Sequence, residues 1–73
     1  MKLSTFVKQK RAESHLTQPE LAEKAGVGLR FVRELEQGKE TLKLDKVNQV
    51  LNLWGYEIGP VKYDQQTNPP FSK

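Results

Sequence analysis

Within this 73-residue chain, the stretch TQPELAEKAGVGLRFVRELEQGK, residues 17–39, limits the possible folds more tightly than any other. Thr17 begins a T-x-x-E capping box, in which its hydroxyl accepts the backbone N–H of Glu20 while Glu20 reaches back to Thr17. With Pro19 in the first turn, this predicts a helix from Gln18 to Ala25. Gly26 is the natural left-handed residue to end it. Val27 then opens a second apolar period, continued by Val32 and Leu35, and predicts a helix over about Gly28 to Gln37 that stops at Gly38. Two short helices joined so closely can pack at a steep angle only with a small residue at their nearest approach. Ala22, four residues after Gln18 and four before Gly26, meets that need. Leu21, Val27, Val32 and Leu35 are the expected inner faces, and together these positions make the helix-turn-helix pattern.

The flanks supply partners for those faces. Leu3, Phe6, Val7 and Lys10 or Arg11 recur at helical spacing, which predicts a first helix from Leu3 to Ser14, stopped by the polar pair Ser14 and His15. After the loop KETLK, the stripe Leu44, Val47, Val50, Leu51 and Trp54 predicts a fourth helix from Leu44 to Trp54 ended by Gly55. The following YEIGPVKY is β-like, with Tyr56 and Ile58 on one side of an extended chain. Gly59 and Pro60 exclude a long central strand. The last residues contain nothing that can bury a core, so residues 62–73 are expected to form a flexible tail behind one domain spanning 1–61.

Length and composition bound the function from outside. A domain of this size buries only about 60% of its unfolded surface, so a second copy of the chain is one natural addition to its core. Without cysteine there is no disulfide or thiolate metal site, and His15 is the sole histidine, so neither a metal nor a cofactor is expected. No apolar run approaches signal-peptide or membrane-spanning length, and the expectation is a cytoplasmic protein, associated with the nucleoid if it binds DNA. Twelve Lys plus Arg against nine Asp plus Glu give a charge of +3. An excess this modest favours a polyanionic partner only slightly. With neither a Gly-rich phosphate loop nor paired carboxylates evident, an enzyme is the least expected class.

Residues 17–39 resemble the Xre/Cro/C1 repressor family, and the continuation LKLDKVNQVLNLWGYEI looks especially like its HipB-like (y4mF-type) antitoxin-regulators. The likeness covers about residues 3 to 61. It implies an all-α, four- to five-helix, lambda-repressor-like domain, and the HipB-like branch implies a C-terminal strand after four helices. It also implies that the second helix of the motif enters the major groove of double-stranded DNA. The positions that would then face base edges are Gly28, Leu29, Arg30 and Arg33. Each arginine can donate two parallel bonds to guanine, and Leu29 can pack on a thymine methyl. Glu34 departs from the neutral polar residues often found there; accepting from cytosine, holding Arg30 at four-residue spacing and repelling phosphate all stay open. Thr17 and Gln18, at the start of their helix, take the role of backbone contacts, where family members use the matching glutamine. Lys39 and Lys43 flank the reading helix as candidate phosphate contacts, joined by Lys8 or Lys10. Arg11 and Glu36 match positions that form an ion pair in such domains, and are therefore assigned to structure.

One reading helix spans too few base pairs to select a site, so a two-fold homodimer on a palindromic operator is expected, with half-sites about 34 Å apart. Trp54, Tyr56 and Ile58 are the candidate interface, with the strand around Tyr56 to Val61 pairing antiparallel with its copy, as HipB-like proteins are built. For Trp54 and Tyr56 an intrachain core role is the alternative. The resemblance implies a transcriptional repressor that is the antitoxin of a HipA-like serine/threonine kinase toxin. A phage-type repressor without a toxin, and a helix-turn-helix adaptor for protein partners, are the competing expectations.

Overall fold

The computed structural model describes residues 2–62. Four helices follow in order, α1 (Leu3–Glu13), α2 (Gln18–Ala25), α3 (Leu29–Gln37) and α4 (Leu44–Leu51), and a single 3₁₀ turn, Asn52–Trp54, continues α4. The capping box at the head of α2 is complete: Thr17 Oγ1 accepts from Glu20 N at 3.2 Å, and Thr17 N donates to Glu20 Oε1 at 2.8 Å. Gly28 caps α3 at a φ of −76°, so the helix starts one residue later than its apolar period suggests.

The ends of these segments are closed by one repeated device. After α2, Val27 N reaches Ala22 O and Gly26 N reaches Glu23 O, with Gly26 left-handed at φ 75°. This paired closure satisfies carbonyls that a helix end would otherwise leave open. It recurs after α3, after the 3₁₀ turn and after α1. At α1 the left-handed position is filled by His15, at φ 59°, where an L side chain costs backbone energy that glycine avoids.

Val7, Leu21, Ala22, Val32, Leu35, Val47, Val50 and Leu51 form the buried core. They come from all four helices, with α3 packed on α1 and α2, and α4 on α2. Phe6, Leu16, Val27, Leu29, Phe31 and Trp54 lie half-buried around that centre. Leu44 does not join it: assigned to the apolar stripe of α4, it is 62% exposed. Helical side chains lean toward the N-terminus of their own helix, so a first-turn residue covers the space before the helix rather than the body behind it. Leu44 instead lines an open groove of about 550 Å³ with Leu3, Leu42 and Val47.

The expected helix through Trp54 ends earlier as α-helix, at Leu51, and tightens. Trp54 Nε1 donates to Ser14 Oγ at 2.8 Å, fixing the end of this element against the end of α1. Residues 56–62 form neither helix nor strand in the single chain. A lone strand has no ladder within one protomer, and here the segment is anchored by other means. Ile58 N donates to Asn48 Oδ1 at 2.7 Å, and the Tyr56 ring meets Phe6 edge to face at 4.9 Å. Lys10 lies over both rings, 5.7 Å from Phe6 and 5.4 Å from Tyr56. Of the expected tail, residues 63–73 lie outside the described residues.

Candidate nucleic-acid interface

The candidate reading surface begins with the amphipathic pattern of α3. Val32 and Leu35 are buried, which turns Arg30 and Arg33 outward on the opposite side of the helix. Arg30 keeps 92% of its side chain exposed. Leu29 is half-buried, and Gly28 is exposed with space around it, since a Cβ built there meets nothing within 4 Å. The four residues assigned to base edges therefore share the N-cap and N-terminal half of α3, and both arginines are exposed. A guanidinium so placed can offer its planar fork to the O6 and N7 of guanine.

That surface is held by a carboxylate behind it. Glu36, only 3% exposed, accepts from Arg11 Nε at 2.6 Å and Arg11 Nη2 at 3.0 Å. Gln18 Nε2 donates to the same carboxylate at 3.0 Å, and Arg11 Nη1 donates to Leu16 O at 3.0 Å. Together these contacts of Arg11, Glu36 and Gln18 join α1, the segment between α1 and α2, the first turn of α2 and the last turn of α3. Burial pushes the Glu36 carboxyl up, but donation by Arg11 and Gln18 and the Arg11 charge outweigh it and hold the group below the usual carboxylate range. Hydrogen bonding to Glu36 raises the Arg11 guanidinium in turn, against the opposing effect of burial.

Gln18, expected at the DNA backbone, thus commits an amide N–H to the interior of the motif. Thr17 sits beside it, exposed and engaged in the capping box. Donation from the Thr17 backbone, then from its hydroxyl, draws the Glu20 carboxyl below its ordinary range. Lys43 precedes α4 and is exposed, as is Lys8 on α1. Lys39 is half-exposed and stands 3.4 Å from Glu34 Oε2, the same oxygen that Arg30 Nε approaches to 3.4 Å. Lys10 pairs with Glu13 at 3.5 Å. Of the candidate interface residues, Trp54 packs against the core, while Tyr56 and Ile58 are 48% and 37% exposed.

Gln49 is a positioning residue with no signal in the sequence. From α4 its Nε2 donates to Ala25 O at 3.2 Å and Gly26 O at 3.3 Å, bracing the turn of the motif from behind. A lone polar residue on an amphipathic helix looks the same whether it faces water or a neighbour's carbonyl.

With this geometry in place, the sequence comparisons are decisive: a helix-turn-helix family model matches residues 7–59, well over half of the chain. The chain belongs to the helix-turn-helix family. Members of this class dock the second helix of the motif in the major groove of DNA. One relative of this helix-turn-helix protein, from Sinorhizobium fredii (strain NBRC 101917 / NGR234), is described as an uncharacterized HTH-type transcriptional regulator, y4mF. It is 48% identical over 56 residues, 77% of this chain and 74% of the relative, so the likeness runs well beyond the motif itself.

Proposed function

We propose that this helix-turn-helix protein is a sequence-specific transcriptional repressor that binds a palindromic operator as a homodimer and is the antitoxin of a HipA-like serine/threonine kinase toxin. The observation that carries DNA recognition is the outward pair Arg30 and Arg33 on a helix braced by the part-buried Arg11–Glu36–Gln18 network. Dimerisation is supported by the apolar side chains left open after α4: Leu53 at 41%, Tyr56 at 48%, Ile58 at 37% and Val61 at 87%. An antiparallel pair of the segments around Tyr56 to Val61 would cover them and satisfy backbone groups that a lone strand leaves open. Among the described residues the groups with shifted titration, Arg11, Glu20 and Glu36, are each committed to contacts that hold the fold, which supports a binding role. The antitoxin assignment rests on the resemblance of residues 42–58 to HipB-like proteins.

The test is a mobility-shift titration of the chain on the DNA upstream of its own gene, beside the double variant Arg30→Ala, Arg33→Ala. The variant should keep its fold and lose at least tenfold in affinity, since each bidentate guanine contact contributes about 1–3 kcal/mol of discrimination. Equal binding by both proteins would remove these residues from the reading surface. Co-expression with the neighbouring genes tests the antitoxin role, which requires a kinase to co-purify.

A further inference from the structure

Glu34 stands among the cations of the reading surface and is itself an acid. Its Oε2 lies 3.4 Å from Arg30 Nε within α3 and 3.4 Å from Lys39 Nζ in the segment that follows. The carboxylate is the fixed member of this cluster, 25% exposed against 92% for Arg30 and 47% for Lys39. At 3.4 Å neither contact has the length of a tight charge-assisted bond, so either cation can exchange it for a phosphate. The two contacts nevertheless differ in what they leave available. Lys39 presents its one ammonium to Glu34. Arg30 presents Nε, and both terminal nitrogens of its fork remain for a base edge.

We propose that Glu34 sets the specificity of the interface, by competing with DNA phosphates for Lys39 while buttressing Arg30 in a pose that only guanine rewards. This rests on the DNA-binding function proposed above and adds a residue that acts against binding without sequence. Non-specific association is carried by phosphate neutralisation alone. Glu34 lowers the positive charge of the patch and repels phosphate, so it weakens every duplex. A duplex with guanine opposite Arg30 recovers the loss, because the Nη pair donates to O6 and N7 while Nε stays on Glu34. A random duplex recovers nothing.

The experiment compares wild-type chain with Glu34→Gln on two probes: a duplex selected by the wild type from a randomised library, and a random-sequence duplex of equal length. Circular dichroism melts establish that both proteins are folded. With Lys39 released to a phosphate, log affinity of Glu34→Gln for the random duplex should fall with log salt more steeply, by about 0.9 per protomer. Between about 50 and 200 mM salt that is roughly a threefold greater loss per protomer. Random-duplex affinity at low salt should rise, and the ratio of selected to random affinity should drop several-fold. Lys39→Met should weaken random-duplex binding more in the Glu34→Gln background than in the wild type, a coupling that a merely structural glutamate would not produce. An unchanged slope and ratio would overturn the proposal. So would loss of selected-duplex binding with random binding unaltered, since Glu34 would then be reading a base itself. Failure of the wild type to bind either duplex would instead refute the DNA-binding function on which the proposal rests.

Discussion

Replacing Arg11 with methionine should destabilise the domain severely, and should make its response to acid run opposite to that of the wild type. Methionine keeps an unbranched stem but removes both donors to Glu36 and the donor to Leu16 O. Glu36, 3% exposed, is left as a nearly buried carboxylate with Gln18 as its remaining partner. Removing one member of a buried pair costs about 3–5 kcal/mol. Arg11 retains 24% exposure, so the lower end, about 3 kcal/mol, applies. A chain of this length has roughly 4–11 kcal/mol of stability, so much of it would go. The melting temperature should fall by roughly 12–24 °C.

The pH dependence follows from the two opposing influences on Glu36. In the wild type its folded pKa is depressed, so its contribution is fully present above the unfolded value near about 4.3 and is lost as pH falls through the folded value. Without Arg11, burial dominates and the folded pKa rises above the unfolded one. Protonation then favours the folded state, and the penalty of the variant shrinks as pH falls from 7 toward 4. Urea unfolding followed by circular dichroism at several pH values measures both curves. A variant within about 0.5 kcal/mol of wild type at pH 7, or one whose deficit widens in acid, would refute the account of Glu36 as a carboxylate held charged by Arg11.

Two smaller perturbations test the closures of the helices. Thr17→Ala removes the Oγ1 acceptor for Glu20 N and should cost about 1 kcal/mol in thermal or chemical denaturation, with Thr17→Ser restoring most of it; no loss would mean that water replaces the cap. His15→Gly should stabilise by about 1 kcal/mol and raise the melting temperature by roughly 4–8 °C, because the exposed His15 occupies a left-handed position that glycine adopts without strain. A lower melting temperature would show that its side chain contributes more than its backbone costs.

The parts of the fold that a reader of the sequence could see were those determined locally. Both ends of α2 fall where Thr17, Glu20 and Gly26 put them, because a capping box and a left-handed closure need only residues a few positions apart. The burial of Leu21, Ala22, Val32 and Leu35 follows from periodicity. Leu44 satisfied the same periodicity and is exposed, because a stripe says which way a residue faces but not whether anything lies opposite it. The tightening after Leu51 depends on Trp54 finding Ser14, forty residues earlier, and no local pattern carries that information. His15 was legible as a stop but not as a left-handed residue, since that position is ordinarily marked by glycine or asparagine. At the candidate interface, the outward direction of Arg30 and Arg33 follows from the apolar residues between them. Arg11 and Glu36 lie 25 residues apart and no spacing rule joins them; family resemblance alone brought them together.

The angle at which α3 meets DNA is therefore a property of the whole domain. Helices of eight and nine residues are too short to persist alone in water, so α2 and α3 cannot hold their corner by propensity. Side chains from outside the motif fix it at two points. Arg11 of α1 grips the last turn of α3 through Glu36, and Gln49 of α4 grips the last carbonyls of α2 and the turn. Gln18, shared between the head of α2 and Glu36, closes the path between them. In the DNA-binding function proposed above, a loosened contact at either point would free this corner and with it the direction in which Arg30 and Arg33 point. Substitutions at Arg11 or Gln49 would thus weaken sequence discrimination without touching DNA, whereas the exposed arginines are free to vary with little consequence for the fold.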